Sequence, residues 1–366
     1  MADPLSFRRH PFPSSIDLVR WLPSSSDRLL VAAVHDPAAP SSSSHLHLLA
    51  LPDPSSPLAS LPLPSRATAL RCSPSVLAAS TSSGSLHLLP SSFDDESAVC
   101  IEGGAGFHVG PVRGLDYGGG GGGAGGGEEW VTAGEDGRVH VVTAGGGDGR
   151  LVARRVWDGK GMVGYEAARW ASMAEFATGG AGCGVQWWDR RMGFAVAAQC
   201  KGIWGRGIVT GMVHSIDIHP SRKHICMVGG SSGTIFAWDL RWPQQPIPLS
   251  GLGLGGTAQP VCESEVWEVL FDNYTQSSDI ISSASTRILP VMMYERPVEL
   301  LAEPCAINSF DIDPQNPSDV VCALEWESIG VLTRGNNNAK ISIFLEGFYF
   351  KSATEADGLA LEEIGL

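Results

Sequence analysis

The segment GGSSG, residues 229–233, matches the G-x-S-x-G pattern of a hydrolase nucleophile elbow. Such an elbow needs a strand before the serine and a helix after it, so that a strained turn raises the hydroxyl above the sheet. The residues that follow, Thr234 to Trp238, are β-branched and aromatic without helical spacing, which is typical of a strand. The sequence therefore predicts strand, turn and strand, with Ser231 as a turn residue and not a nucleophile.

Two other patterns could carry chemistry, and both lack the context they need. The segment GLGLGG, residues 251–256, satisfies G-x-G-x-x-G but lies between prolines, with no helix to cap a pyrophosphate. His45 and His47 would share one face of a strand and could bind a metal as a pair, yet no third ligand is near them. We therefore expect no enzyme activity, no catalytic residue, no cofactor, no metal site and no small-molecule substrate.

The composition indicates a protein of many turns and a sizeable core. Charged residues make up 17% of the 366 residues and apolar ones 43%, with 45 glycines and 24 prolines, which favours short strands over long helices. The net charge of −14 argues against nucleic acid or an anionic membrane surface as a direct partner. No apolar run near the start is long enough to cross a bilayer, so we expect no membrane insertion.

Seven repeats of a short apolar strand, a polar turn and a second strand run along the chain. The units start near residues 16, 67, 112, 167, 214, 266 and 306. A unit of about 40 to 50 residues with four short strands is typical of a propeller blade. We predict an all-β fold, a seven-bladed WD-repeat β-propeller with long loops rich in Gly, Pro and Ser, as one domain over residues 1–334. Residues 118–127 would form a glycine-rich loop insertion, and residues 335–366 a divergent C-terminal tail that need not be ordered.

The dipeptides Trp188-Asp189 and Trp238-Asp239 end two of the predicted strands, as in WD repeats. The partners of a full WD hydrogen-bond network are not evident in any one unit. His108 and Asp136 occupy two of its positions in the third unit, where Val142 stands in place of the tryptophan. We therefore expect a fold held mainly by apolar packing between sheets, with few complete polar networks.

Both tryptophan-aspartate pairs belong to W-D-x-R motifs, which end at Arg191 and Arg241. Paired motifs of this form in consecutive blades resemble the substrate receptors of cullin-RING ubiquitin ligases, in which the arginines contact an adaptor propeller. The alternative is that each arginine caps its strand or pairs with an acidic loop. The two arginines are therefore candidate partner contacts, and a substrate receptor is the alternative functional hypothesis.

Longer segments carry a more specific resemblance. They are IDLVRWLP at 16–23, LVAAVHD at 30–36, GGAGCGVQWWD at 179–189, HSIDIHPSRKHICMVGGSSGTIFAWDLR at 214–241 and EVWEVLFD at 265–272. Together, over residues 7–334, they resemble the plant form of the small WD-repeat nucleoporins of the Y-shaped outer-ring scaffold of the nuclear pore complex. After Arg334 the chain departs from that family pattern, so we assign no function to the tail.

The resemblance implies a non-enzymatic propeller at the nuclear envelope, within the nuclear pore complex of the nucleus. Such a subunit docks on an α-solenoid subunit and on neighbouring propellers, and so supports nucleocytoplasmic transport of protein and mRNA. None of the twelve phenylalanines is followed by glycine, so the chain lacks the Phe-Gly repeats of the permeability barrier.

A fluorophosphonate probe tests the remaining enzyme hypothesis directly. We expect no labelling of the native chain, because Ser231 lacks the strand-to-helix turn that activates such a serine. The measurement is gel fluorescence with a known serine hydrolase as the positive control. Labelling that Ser231→Ala abolishes would contradict this prediction.

Overall fold

Short antiparallel strands supply most of the regular structure in the computed structural model. It describes residues 6–23, 28–36, 44–93, 95–120, 127–145, 150–200, 211–233, 235–243, 247–248, 265–271, 280–284, 298–299, 305–333, 340–345 and 349–353. Within these ranges the only helices are two short 3₁₀ segments, Asp95–Ser97 and Arg190–Met192. No helix in the described ranges is long and apolar enough to span a membrane.

The strands follow one another with short turns between most of them. The first thirteen are β1 (Ser6–Pro11), β2 (Ser15–Trp21), β3 (Leu29–His35), β4 (Ser44–Ala50), β5 (Ala59–Leu63), β6 (Ala67–Cys72), β7 (Val76–Thr81), β8 (Leu86–Pro90), β9 (Val99–Ile101), β10 (Val112–Gly120), β11 (Glu128–Gly134), β12 (Arg138–Ala144) and β13 (Leu151–Asp158). The others are β14 (Gly164–Ser172), β15 (Glu175–Ala181), β16 (Gly184–Asp189), β17 (Ala195–Cys200), β18 (Val213–Ile218), β19 (Ile225–Gly230), β20 (Phe236–Asp239), β21 (Ile247–Pro248), β22 (Val266–Phe271), β23 (Ile280–Ala284), β24 (Val298–Glu299), β25 (Ile307–Ile312), β26 (Asp319–Leu324), β27 (Ser328–Thr333), β28 (Lys340–Leu345) and β29 (Tyr349–Ala353).

Six sheets are four-stranded antiparallel blades, and a further sheet departs from that pattern. The blades are β2-β3-β4-β5, β6-β7-β8-β9, β10-β11-β12-β13, β14-β15-β16-β17, β18-β19-β20-β21 and β1-β27-β26-β25. The irregular sheet has the order β22-β23-β28-β29-β24, and its inner strand β22 packs between β18 and β25. The propeller class is therefore confirmed, whereas the prediction of seven blades is wrong, because the structure forms six of that kind.

The irregular sheet has a physical cause in its strand pairing. Its unit supplies the inner pair β22 and β23, but the strand that pairs next with β23 is β28, which comes from the tail and runs parallel to it. The tail thus contributes β28 and β29 to the propeller, while residues 354–366 lie outside the described ranges. Of the predicted glycine loop at 118–127, the first three residues belong to β10, and residues 121–126 also lie outside those ranges.

The first strand of the chain, β1, completes the blade formed by β25, β26 and β27. β1 pairs with β27 from Ser6 opposite Thr333 to Pro11 opposite Ser328, all antiparallel. The amide of Phe12 then donates to the carbonyl of Glu327 at 2.7 Å. The ring of sheets is therefore closed by hydrogen bonds between residues more than 300 positions apart, and β1 covers the edge that β27 would otherwise leave unpaired.

Apolar side chains fill the spaces between neighbouring sheets. One cluster joins Trp187 and Val185 of one blade to Val213 and Trp238 of the next. The backbones approach closely there, since a Cβ on Gly179 would lie 2.5 Å from Cγ1 of Val213. Small residues at the ends of the second strands are thus needed for sheet-to-sheet packing. The apolar packing agrees with the expectation, whereas the expectation of few polar networks is not met, because a buried network of charges also joins the inner strands.

Charged side chains of the inner strands form a ring around the centre of the propeller. The innermost strand of each of the seven sheets has a β-bulge near its start; these strands are β2, β6, β10, β14, β18, β22 and β25. In all of them except β22, the residue four positions after the first residue of the bulge is charged. We call these six side chains and Glu268, which projects from β22, the charged belt: Arg20, Arg71, Asp116, Arg169, Asp217, Glu268 and Asp311.

The three aspartates of the belt each hold the backbone of the next sheet. Asp116 accepts from the amide of Trp170 at 2.8 Å, and Asp217 accepts from that of Phe271 at 2.6 Å. Asp311 on β25 accepts from the amide of Trp21 on β2 at 2.9 Å and so joins the last blade to the first. Burial raises the pKa of Asp311, because the charged form loses its hydration there.

The arginines join the remaining members of the belt. Arg169 donates to Asp116 at 3.0 Å and to Asp217 at 2.8 Å, so it links three consecutive blades. Arg20 donates to Glu268 at 2.5 Å, and although burial opposes it, Arg20 with Arg71 holds the pKa of that carboxyl below its usual value. Burial and the neighbouring Arg20 and Arg169 lower the pKa of Arg71 to about 10. The guanidinium of Arg71 therefore keeps its charge at neutral pH.

Replacement of Asp217 by alanine tests the belt. We expect the free energy of unfolding to fall by about 3–5 kcal/mol, because the change removes one partner of a buried ion pair and leaves the Phe271 amide unpaired. Urea unfolding measures the loss. Glu135→Gln is the control, since its pair with Arg113 is 39% exposed on both sides and should be worth less than about 1 kcal/mol. Equal effects of the two variants would contradict the prediction.

Candidate interaction surface

The tryptophans of the two W-D dipeptides lie inside the propeller. Trp188 and Trp238 are fully buried, and Trp188 Nε1 donates to Thr178 Oγ1 at 2.9 Å. In the next blade Val228 occupies the strand position of Thr178, so Trp238 Nε1 has no partner among the described residues. Both tryptophans therefore support packing and are not available to a partner.

The aspartates of the same dipeptides hold the turns that follow. Asp189 Oδ1 accepts from the amide of Arg191 at 2.8 Å, and Asp239 Oδ1 from that of Arg241 at 2.9 Å. In each motif the arginine Nε also donates to this carboxylate at 3.0 Å. The hydrogen bond from each arginine side chain lowers the pKa of its aspartate. Within the chain, each arginine therefore caps the end of its own strand, which is the alternative to a partner contact given by the sequence.

Although each arginine binds its own aspartate, both guanidinium groups remain at the surface. The side chains of Arg191 and Arg241 are 66% and 58% exposed, whereas those of Asp189 and Asp239 are 13% and 9% exposed. Arg191 also pairs with Glu175, on the strand beside Asp189. The two candidate contact residues therefore present cations above buried carboxylates, at equivalent places in consecutive blades.

Sequence reasoning missed the residue that follows each arginine. Met192 is 60% exposed and Trp242 is 75% exposed, although residues this large and apolar are usually buried. Met173, in the turn between β14 and β15, is 56% exposed, and its carbonyl accepts from Arg190 Nη1 at 3.2 Å. The signal that could have revealed these residues in the sequence is that a large apolar residue follows the arginine in both W-D-x-R motifs.

The turn between β18 and β19 adds positive charge at the same end of the sheets. Arg222 and Lys223 are exposed there, and this turn reaches the W-D-x-R turn because the amide of Leu240 donates to the carbonyl of His224 at 2.9 Å. Burial, followed by the charge of Arg222, lowers the pKa of His219 in this turn. We call the surface formed by Arg191, Met192, Arg222, Lys223, Arg241 and Trp242 the W-D-x-R face.

The other residues singled out by sequence have structural settings. Ser231 lies in the turn between β19 and β20, where its Oγ accepts from the amide of Met212 at 2.7 Å, so the turn assignment is confirmed. The rings of His45 and His47 are 6.0 Å apart on β4, and no group of three or more metal-ligating side chains occurs in the described ranges. Residues 251–256 lie outside those ranges.

One blade does contain most of a WD hydrogen-bond network. His108 Nδ1 lies 3.1 Å from Asp136 Oδ1, and its Nε2 lies 3.0 Å from Thr132 Oγ1. A Cβ on Gly134 would lie 2.7 Å from the same imidazole, so glycine is needed beside it. Burial lowers the pKa of His108, which keeps the ring neutral at neutral pH. His108 and Asp136 thus occupy the network positions that the sequence indicated, and they contact each other there in a structural role.

A cavity of about 460 Å³ opens at the end of the propeller opposite the W-D-x-R face, where the inner strands begin. Its wall includes Arg113, Glu166 and the stacked rings of His214 and Trp267, whose centroids are 4.2 Å apart. Glu166 Oε2 lies 3.0 Å from Arg113 Nε, and burial raises the pKa of Glu166 to about 7. The charged groups of this wall therefore pair with each other, and the geometry does not select a ligand.

Replacement of motif residues by alanine separates packing from surface roles. Trp188→Ala should lower the free energy of unfolding by about 3–5 kcal/mol, because it empties a fully buried site. Arg191→Ala and Arg241→Ala should leave the urea midpoint unchanged, since both side chains are largely exposed. Urea unfolding followed by tryptophan fluorescence and circular dichroism measures all three. A large loss for either arginine variant would contradict the surface assignment.

Comparison with known proteins gives this fold its family. No family model matches the chain. It is 47% identical over 368 residues to an Arabidopsis thaliana protein, "Nuclear pore complex protein NUP43", covering 90% of this chain and 98% of that protein. Human and mouse proteins named "Nucleoporin Nup43" are each 27% identical over 143 residues, which is 39% of this chain and 33% of each relative. The match to the plant protein runs along nearly the whole of both chains, so this chain belongs to the Nup43 family of nucleoporins, located at the nuclear pore complex of the nucleus.

Proposed function

We propose that the chain is a non-enzymatic structural subunit of the Y-shaped outer-ring scaffold of the nuclear pore complex. It docks through its propeller surfaces on an α-solenoid subunit and on neighbouring propellers, and so supports nucleocytoplasmic transport of protein and mRNA. The observation that carries this proposal is the 47% identity, along nearly the full length, to a plant nuclear pore complex protein.

The architecture is suited to such a role. The β1–β27 pairing and the charged belt connect the sheets around a closed ring, so the outer turns are presented by a rigid body. The charged side chains of the belt bind one another and the backbone, so their role is structural. The net charge of −14 favours a protein partner over nucleic acid.

A substrate receptor of a cullin-RING ubiquitin ligase is the second candidate. The observation in its favour is that Arg191 and Arg241 expose their guanidinium groups at equivalent places in consecutive blades. Each arginine also donates to its own motif aspartate, so only the outward part of its guanidinium is available to an adaptor. The family match supports the scaffold and not the receptor.

Affinity purification of the tagged full chain from gently solubilised nuclei distinguishes the two. We expect outer-ring solenoid and propeller subunits in near-equal amounts by quantitative mass spectrometry at moderate salt, and a rim signal at the nuclear envelope by microscopy. The untagged chain controls for non-specific capture. Recovery of a cullin and its adaptor without pore subunits, or an evenly nuclear signal without a rim, would overturn the proposal.

A further inference from the structure

The W-D-x-R face is built from one motif used twice. In both copies the aspartate caps the turn, the arginine folds over that aspartate, and the next residue is a large apolar side chain at the surface. Met192 and Trp242 therefore hold equivalent positions one blade apart. Packing inside the propeller does not explain this arrangement, because Trp242 is 75% exposed and Met192 is 60% exposed.

The charge on this face is arranged in two layers. The carboxylates of Asp189 and Asp239 lie beneath, almost buried, while the guanidinium groups of Arg191 and Arg241 face outward. The neighbouring turn between β18 and β19 adds exposed Arg222 and Lys223. Glu175 pairs with Arg191 at the edge of this surface, so the exposed cations without a motif carboxylate are those of Arg222 and Lys223. A partner therefore meets cations and apolar groups, although the chain as a whole carries a net charge of −14.

These two properties define the partner. We propose that the W-D-x-R face docks an acidic segment of another protein that places large apolar side chains beside its carboxylates. Carboxylates suit the outward ends of the two guanidinium groups, whose Nε and Nη2 atoms already donate to Asp189 and Asp239, and they also suit the exposed cations of the adjacent turn. Apolar side chains would cover Met192 and Trp242. A nucleic acid backbone would bring no apolar groups to these side chains and would be repelled by the rest of the acidic surface. The inference rests on the proposed scaffold function and assigns it a docking face.

Site-specific cross-linking tests the chemistry of the partner. The probe is p-benzoylphenylalanine placed at position 192 of the tagged full chain, irradiated in nuclear extract and analysed by mass spectrometry. We expect a cross-link to a pore subunit, within a tryptic peptide that has a net negative charge and carries aliphatic or aromatic residues. A cross-linked peptide with a net positive charge, or a cross-link only to a second copy of this chain, would overturn the inference.

Paired variants test the two components of the surface. Met192→Ser with Trp242→Ser removes the apolar groups, and Arg222→Glu with Lys223→Glu reverses charge in the adjacent turn without removing a side-chain pairing to Asp189 or Asp239. Both variants should lower recovery of outer-ring subunits at least fivefold, with circular dichroism and melting temperature unchanged. Matched controls are Met162→Ser, an 84% exposed residue in a turn at the opposite end of the sheets, and Arg8→Glu, exposed on the outer strand β1.

The outcomes separate this inference from the proposed function. If the native chain recovers pore subunits and both double variants recover them equally well, the docking face is wrong while the scaffold function stands. Loss with the apolar variant alone would overturn the acidic character of the partner. If the native chain recovers no pore subunits, the proposed function itself fails. Loss with both double variants but neither control supports the inference.

Discussion

The fold depends on a set of charges buried at the propeller centre, where isolated ions would be strongly destabilising. Desolvation of a charge costs several kcal/mol unless partners compensate for it. Arg169 finds those partners in the blades before and after its own. Since Asp311 and Arg20 connect the sheets across the closure, the full set of partners exists only when the ring is complete. The belt therefore penalises an open ring and a wrong order of sheets, in addition to stabilising the correct one.

The residues of each W-D-x-R motif have different structural roles, and these roles follow from the same architecture. Inner strands and sheet interfaces supply stability, so the turns at the sheet ends are free to carry surface chemistry. In each motif the tryptophan belongs to the core, the aspartate holds the turn, and the arginine and the next residue reach solvent. A motif that looks like a single signature in sequence thus divides into packing, capping and surface residues, and only the last group could meet a partner.

Much of the propeller could be predicted from the sequence, because short strands at regular spacing have a local signal. The WD positions of His108 and Asp136 and the turn role of Ser231 could also be predicted, since both depend on positions within one repeat. The charged belt could not, because Arg20 and Glu268 lie 248 residues apart and meet only across the closed ring. The pairing of β28 with β23 escaped prediction for the same reason, as it replaces a local strand by one from the tail.

The irregular sheet shows why the ring does not need every sheet to be alike. At its belt position the inner strand β22 carries Leu270 instead of a charge, and Glu268, two residues earlier, lies on the same face of the strand. Glu268 accepts from Arg20 and also from the amide of Phe310, so it joins β22 to the next sheet as the belt aspartates do elsewhere. The connection between neighbours is therefore made at the inner strand alone. The outer strands of this sheet can come from a distant part of the chain without opening the ring.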